Sequence, residues 1–232
     1  MNIFQLTYNT ILEALFPISP AEKWLLSMDI GSIIKQLPRA KNAPIEDACS
    51  IFSYKDDRVW QMVWSIKYRK SKRAVQISAF ALHRIIQIYE SVVPNIVIIP
   101  MPVSKQRRRE RGYNQCELLT DEIKRLNNEI SYENKLTVIN NLLLRKKNTS
   151  RQTLKNRKGR LDSAHELFIV DEIILNQFLS EEILPTSNHI SDKNVMFIVI
   201  DDVVTTGSTM KEAVQTMRNA GLTNTWGLSI AH

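Results

Sequence analysis

The sequence predicts an α/β domain in which a mainly parallel sheet is flanked by helices, preceded by a helical N-terminal region. Two continuously apolar segments, within 92–103 and 194–200, are typical of strands that are buried on both faces. Between such segments lie stretches with helical spacing, the clearest of which places apolar residues at Val75, Ala79, Leu82 and Ile86. Because strand and helix patterns alternate along the chain, parallel strands joined by helices are the expected arrangement.

The other elements are predicted from shorter patterns. We expect a strand near 49–54, a helix over 114–127, and further strands within 164–170 and 223–232. A last helix should follow Thr209, end at Gly221 and bury the apolar residues Met210, Ala213, Val214 and Met217.

Length and composition set the organisation of the chain. With 232 residues it can hold one sizeable α/β domain, predicted at 49–232, and a helical N-terminal region, 1–48, that prolines punctuate. The stretch 176–194 is interpreted as an insertion loop. No run approaches the roughly 18 apolar residues of a membrane helix, and the N-terminus does not resemble a secretory signal. These features favour a soluble, cytoplasmic protein without membrane insertion.

The cysteines and histidines give no metal or nucleophile pattern. Cys49 and Cys116 are too few and too far apart for a disulfide framework or a cysteine-based zinc site. Cys116 shares the apolar side of its predicted helix, so packing is favoured over a nucleophilic role. The four histidines show no metal-ligand spacing and are interpreted as structural or surface residues.

The net charge of +7 is concentrated in two segments. Residues 145–160 contain 8 Lys and Arg and no acid, and residues 104–113 contain five basic residues against Glu110 alone. Such clusters favour a polyanionic ligand, although a solvated charged loop is the alternative for each. Proteins that bind single-stranded nucleic acid usually have aromatic residues interleaved with basic ones, and the only aromatic residue in these two segments is Tyr113.

The segment 199–210, VIDDVVTTGSTM, has the strongest pattern for a binding site. A buried strand runs into Asp201 and Asp202, and a turn rich in hydroxyl groups then leads into a helix. Free backbone N–H groups and the helix dipole meet at such a turn, which makes a phosphate site, and Gly207 permits close approach of the ligand. Thr209 and Glu212 have the spacing of a capping box. The alternative is an acidic strand end before a capped helix, with no ligand.

This segment resembles the phosphoribosyl pyrophosphate (PRPP) signature of type I phosphoribosyltransferases. Three other segments resemble the ComF/GntX-like branch of that fold, which is associated with competence and DNA uptake: 54–69, 99–119 and 151–168. In the last of them Asp162 and Ser163 replace the usual Asn-Val pair. Many members begin with a four-cysteine zinc finger, and the corresponding region here has no cysteine.

The resemblance implies a type I phosphoribosyltransferase-like fold and a set of site residues. It implies that Asp201 and Asp202 bind the ribose hydroxyls and the magnesium-bound ligand, with Mg²⁺ as the cofactor. It places the 5-phosphate at Thr205, Thr206, Gly207, Ser208 and Thr209. The loop that contacts pyrophosphate, often through a cis peptide, matches Pro102, Val103 and Ser104. The segment 145–160 falls where such enzymes carry a mobile loop that closes over the substrate.

The function expected from this resemblance is Mg²⁺-dependent transfer of a phosphoribosyl group to an unidentified nitrogenous acceptor. Because charge develops on pyrophosphate, catalysis is mainly electrostatic, and the predicted catalytic residues are Asp201, Asp202, Lys105 and Arg151. The alternative is a non-catalytic competence protein that binds PRPP or a nucleotide and contacts single-stranded DNA weakly, or other proteins of the competence machinery. A DNA contact would be assigned to segment 145–160.

Overall fold

The computed structural model of the protein describes residues 19–41, 45–130, 135–146, 167–180 and 195–232. In these ranges the chain forms eight helices and seven strands, numbered here in chain order. The helices are α1 (Pro20–Ser27), α2 (Ile30–Gln36), α3 (Asp57–Arg69), α4 (Lys72–Glu90), α5 (Lys105–Arg111), α6 (Gln115–Ile130), α7 (Glu172–Ser180) and α8 (Ser208–Asn219). The strands are β1 (Ala48–Phe52), β2 (Asn95–Pro100), β3 (Lys135–Val138), β4 (Leu143–Arg145), β5 (Phe168–Val170), β6 (Val195–Val203) and β7 (Thr225–Ala231).

Five strands form a parallel sheet in the order β1–β7–β6–β2–β3. Strand β6 is central, and its register with β2 runs from Asn95 opposite Val195 to Pro100 opposite Ile200. This architecture confirms the predicted α/β class with a mainly parallel sheet flanked by helices.

Strands β2 and β6 lie at the point where the direction of winding changes. From β2 the chain passes through α5 and α6 to β3 at one edge, whereas from β6 it passes through α8 to β7 on the other side. In an open parallel sheet the loops after two such strands separate and leave a crevice at the carboxyl ends. The topology therefore places a crevice between the loops that follow Pro100 and Val203.

Both faces of the sheet are covered, as the continuously apolar strands predicted. On β6, Met196, Ile198 and Ile200 join the hydrophobic cluster that includes α3, α4 and α6. Their neighbours Val195, Phe197 and Val199 join a second cluster, which includes α8. Successive side chains of a strand point to opposite faces, so one strand supplies both clusters. Each fully buried side chain of this kind contributes about 1.5–3 kcal/mol.

The region between β3 and β6 differs from the prediction. Strand β5 belongs to a two-stranded antiparallel ribbon with β4, not to the main sheet. Phe168 is buried and Ile169 exposed, so this short strand has one buried face instead of two. Residues 176–180, predicted to begin an insertion loop, form the last part of α7, and residues 181–194 lie outside the described chain.

Two short capped helices form the described part of the N-terminal region. Ser19 Oγ accepts a hydrogen bond from Glu22 N, and Asp29 Oδ1 accepts one from Ser32 N. Leu25 and Ile33 are buried in the same hydrophobic cluster as α3 and α4. The helical character predicted there is confirmed for 20–36, whereas the division of the chain at residue 48 stays a prediction.

No helix in the described ranges combines the length and the apolar character that crossing a membrane requires.

Candidate active site

A cavity of about 340 Å³ lies at the carboxyl ends of β2 and β6, in the crevice that the topology creates. Its walls come from the two loops that follow these strands, together with side chains from α3, α5, α6 and β4. The predicted site residues that line it are Pro102, Val103, Asp201, Asp202, Thr205, Thr206, Gly207, Ser208 and Thr209.

The other predicted site residues lie elsewhere. Ser104 is the N-cap of α5, where its Oγ accepts a hydrogen bond from Arg107 N at 3.2 Å. Lys105 is the exposed first residue of the same helix, and neither residue is among those that line the cavity. Arg151 and most of the basic segment 145–160 fall outside the described residues.

The two aspartates at the end of β6 have different surroundings. Asp202 is buried, and its Oδ1 lies 3.0 Å from Lys67 Nζ on α3. Its Oδ2 is also buried but has no hydrogen-bond partner. Asp201 is half-buried and points to the opposite face of the strand, where its Oδ1 accepts hydrogen bonds from Asp202 N at 2.8 Å and from Cys116 Sγ at 3.5 Å. Adjacency in sequence therefore gives two carboxylates with separate partners.

The electrostatics of this pair favour a protonated form of Asp201. Burial, and then the negative charge of Asp202, raise the pKa of Asp201 from its ordinary value of 3.8 to about 7. Burial also raises the pKa of the Cys116 thiol, so this group is a neutral donor to Asp201 at neutral pH. The interpretation of Cys116 as a packing residue agrees with its complete burial. A carboxyl group that titrates near neutral pH is typical of functional sites.

The turn after β6 presents an array of backbone N–H groups at the start of α8. Gly207 is the N-cap and adopts a left-handed conformation with φ +83°. The first hydrogen bond of the helix runs from Lys211 N to Gly207 O, so the N–H groups of Ser208, Thr209 and Met210 have no partner within the helix. These groups and the positive end of the helix dipole favour negative charge at this position.

The caps of α8 differ from the prediction at one end only. The capping box predicted between Thr209 and Glu212 is wrong, because the helix begins at Ser208 and Glu212 Oε1 instead accepts a hydrogen bond from Leu167 N. At the other end Gly221 has φ +89°, and its N–H bonds to Arg218 O. The predicted glycine stop is confirmed.

The loop after β2 is held in place by α6. Met101 N donates to Ile200 O, which joins the loop to β6, and Asn114 Nδ2 donates to Met101 O at 3.1 Å. Asn114 Oδ1 also accepts from Cys116 N, so one buried side chain fixes both the loop and the first turn of α6. All peptide bonds of the described residues are trans, so the cis peptide suggested for this loop is not present.

Sequence reasoning did not assign several residues that line the cavity: Tyr54, Lys67, Arg107, Gln115 and Arg145. Arg107 and Arg145 lie in segments whose positive charge was evident, and Arg145 stacks over the Phe168 ring with its Cζ 5.5 Å from the ring centroid. Lys67 lies in a segment that resembles the ComF/GntX-like branch. No spacing in the sequence connects Lys67 with Asp202.

Together these features define an α/β protein with a phosphoribosyltransferase-like fold, in which the N-terminal turn of a helix and two carboxylates line one cavity. No protein-family model matches the chain. The chain is 30% identical over 139 residues to Competence protein F of Haemophilus influenzae, a match that covers 58% of this chain and 50% of that protein. It is 29% identical over 135 residues to Competence protein ComFC of Bacillus subtilis, covering 57% of this chain and 43% of that protein.

The chain thus spans about half the length of the curated relatives that it matches. Both relatives support a ComF-like family for this chain, which confirms the resemblance found in its sequence.

Proposed function

We propose that this protein binds PRPP with Mg²⁺ and transfers its phosphoribosyl group to a nitrogenous acceptor. The observation that carries the proposal is that the N-terminal turn of α8 and the carboxylate pair line a single cavity. PRPP combines a phosphate, a ribose with two free hydroxyls, and a pyrophosphate. A site for such a ligand requires an anion pocket, hydroxyl acceptors and positive charge, and the cavity offers all three.

Each part of the ligand has a matching set of residues. The N–H groups and hydroxyls of 205–209 would hold the 5-phosphate at the positive end of α8. Asp201 and Asp202 would accept hydrogen bonds from the ribose hydroxyls. The loop with Pro102 and Val103 would lie along the pyrophosphate.

Positive side chains are available for the leaving group. Lys67, Arg107 and Arg145 line the same cavity, and as the C1–oxygen bond breaks they would stabilise the negative charge that develops on pyrophosphate. The acceptor nitrogen forms the new bond to C1, and pyrophosphate leaves with the bonding electron pair. Lys67 is already held beside the cavity by its 3.0 Å ion pair with Asp202.

The residues present fit a magnesium ion that is bound together with the ligand. Mg²⁺ usually takes one or two carboxylates and fills its other positions with phosphate oxygens and water. Asp202 Oδ2 is buried without a partner, and Asp201 lies beside it in the cavity wall. The described residues contain no group of three or more metal-ligating side chains, so the ion would depend on PRPP for its remaining ligands. When bound, Mg²⁺ would neutralise pyrophosphate charge.

A second candidate is supported by the relatives, both of which are named competence proteins. In that function the same cavity binds PRPP or a nucleotide without turnover, and the protein acts in competence. The two candidates share the binding site and differ only in whether pyrophosphate is released.

Calorimetry with PRPP, in the presence and absence of Mg²⁺, tests the binding site. We expect Mg²⁺-dependent binding, weakened at least ~100-fold when Asp201 and Asp202 are both replaced by Asn, which corresponds to about 2.7 kcal/mol. Asp121→Asn, on the exposed side of α6, is the matched control and should bind like the wild type. An unchanged affinity in the double variant would show that the carboxylate assignment is wrong.

Incubation with PRPP, Mg²⁺ and a panel of nitrogenous bases tests turnover through the release of pyrophosphate. Release that depends on one base identifies the acceptor. Binding without release for any base favours the non-catalytic candidate.

A further inference from the structure

Tyr54 is the only aromatic residue among the described residues that line the cavity. It lies two residues after the end of β1, is half-buried, and packs against the hydrophobic cluster that includes α3 and α4. The phosphate, the ribose and the pyrophosphate of PRPP are matched by other residues, so Tyr54 is left for a further part of the reaction.

The position of Tyr54 is fixed by the neighbouring strands. Its backbone N–H donates to His232 O at 2.8 Å, and His232 N–H donates to Phe52 O at 3.0 Å, so the residue is tied to the end of β7. His232 Nδ1 in turn donates to Val204 O at 2.8 Å, in the turn after β6. Hydrogen bonds thus connect the loop after β1 with the turn proposed to bind the 5-phosphate.

The order of the strands places Tyr54 and the loop after β2 on opposite sides of the carboxylate pair. All five strands are parallel, so their carboxyl ends lie along one edge of the sheet in the order β1–β7–β6–β2–β3. Asp201 and Asp202 lie near the end of the central strand β6. Pro102 and Val103 follow β2 on one side of β6, and Tyr54 follows β1 on the other.

The reaction at C1 of the ribose needs its acceptor on the side where Tyr54 lies. In a single displacement at a sugar C1, the incoming group attacks the face opposite to the leaving group. In the proposed function the pyrophosphate lies along the loop after β2, so the acceptor approaches from the side of β7 and β1. An aromatic ring there favours a flat acceptor, because stacking of a planar base on an aromatic side chain contributes about 1–3 kcal/mol. Ammonia and alkyl amines have no such face.

We propose that Tyr54 is the acceptor-binding residue and that the acceptor is a planar nitrogen heterocycle stacked on its ring. This inference rests on the proposed function and narrows the nitrogenous acceptor to one chemical class. A ring nitrogen donates its lone pair to C1, pyrophosphate leaves with the electron pair of the C1–oxygen bond, and the proton of that nitrogen passes to water. The product is of the nucleoside 5′-monophosphate type, and its phosphate, ribose and base would lie at the turn before α8, at the carboxylates and on Tyr54.

Calorimetry with ribose 5-phosphate and with the nucleoside 5′-monophosphates of adenine, guanine, cytosine and uracil tests the inference without requiring turnover. These ligands share the phosphate and the ribose and differ in the base. At least one nucleotide should bind about 5- to 150-fold more tightly than ribose 5-phosphate, the range that one stacked base contributes. Tyr54→Ala should reduce the affinity for that nucleotide to the affinity for ribose 5-phosphate, whereas Tyr54→Phe should retain most of the difference.

Two controls separate the base from the rest of the ligand and from the fold. Ribose 5-phosphate should bind Tyr54→Ala as it binds the wild type, which shows that the variant is folded. Tyr89→Ala is the matched control, because Tyr89 is also half-buried and packs against the same hydrophobic cluster but does not line the cavity. Its affinities for the nucleotides and for ribose 5-phosphate should equal those of the wild type.

The outcomes distinguish this inference from the proposed function. Nucleotides that bind no more tightly than ribose 5-phosphate, or a Tyr54→Ala variant that keeps the difference, would overturn the inference and leave the PRPP site standing. Failure of both PRPP and ribose 5-phosphate to bind would overturn the proposed function and this inference with it. Where pyrophosphate release identifies an acceptor, Tyr54→Ala should raise the KM for that acceptor about 5- to 150-fold and leave the KM for PRPP unchanged. Release that ammonium supports and no planar base supports would overturn the acceptor class.

Discussion

Replacing Asp201 with Asn should stabilise the folded protein while removing a carboxylate from the proposed ligand site. The side chain lies at the end of β6, next to the buried and negatively charged Asp202, and its pKa is raised to about 7. In the unfolded chain the ordinary value of 3.8 applies. Between these two pH values the folded state holds a proton that the unfolded state has lost, so the stability of the wild type falls as the pH rises.

The difference between 3.8 and about 7 corresponds to about 4 kcal/mol of stability, lost in full once Asp201 is ionised above pH 7. The amide of Asn carries no charge, so the variant does not lose this stability as the pH rises. Its Oδ1 can still accept the hydrogen bond from Asp202 N, while the contact with Cys116 Sγ is less well preserved. Allowing for that imperfect replacement, we expect Asp201→Asn to be about 1–3 kcal/mol more stable at pH 8.

Urea denaturation from pH 4 to pH 8, without Mg²⁺ or PRPP, measures this effect. The free energies of unfolding of the variant and the wild type should agree near pH 4, diverge as the pH rises, and become parallel above pH 7. Glu46→Gln, which neutralises an exposed carboxylate outside the cavity, should show no comparable divergence. A variant that is less stable than the wild type at pH 8, or a difference independent of pH, would refute the reasoning.

Two further substitutions test the turn and the ion pair. Gly207→Val should abolish PRPP binding in calorimetry. It should lower the melting temperature by only about 2–8 °C, because a side chain at φ +83° costs on the order of 1–2 kcal/mol. The control is Gly221→Val, at φ +89° but with open space around it, which should lower the melting temperature by a similar amount and bind PRPP normally. In urea denaturation, Lys67→Met should lower the free energy of unfolding by about 2–3 kcal/mol, which is less than for a fully buried pair because Lys67 is 20% exposed. Adding Asp202→Asn to this variant should restore much of the lost stability. A double variant no more stable than Lys67→Met would contradict the ion-pair assignment.

The features that could be predicted from the sequence are those set by neighbouring residues. The apolar run before Asp201 identified the central strand because only a strand covered on both faces is apolar at every position. The glycine turn that follows, and the helix after it, could be predicted because Gly207 and the apolar periodicity of the helix are adjacent in the chain. Gly221 marked the end of α8 for the same reason: a left-handed residue after a helix strongly favours glycine.

The features that could not be predicted depend on contacts between distant segments. Lys67 reaches Asp202 only because α3 packs across the sheet, and no local pattern indicates that contact. Strand β5 has an ordinary strand composition, and only its pairing with β4 shows that it lies outside the main sheet. Trp60, Trp64 and Tyr68 recur every four residues in the sequence, but the same spacing also suits a buried helix face. Exposure of Trp60 and Tyr68 had to come from the structure.

The adjacent carboxylates at the end of β6 have different partners because a strand directs neighbouring side chains to opposite faces. Asp202 shares its face with Ile200 and meets Lys67 on α3, whereas Asp201 shares its face with Val199 and meets Cys116 on α6. The pair is therefore not a chelating cluster formed by one loop. One carboxylate is paired with the half-buried Lys67, whereas the other has no ion-pair partner among the described residues and a pKa of about 7. In the proposed function, Mg²⁺ that binds here with its ligand at neutral pH would displace this proton, so its uptake should release protons from Asp201.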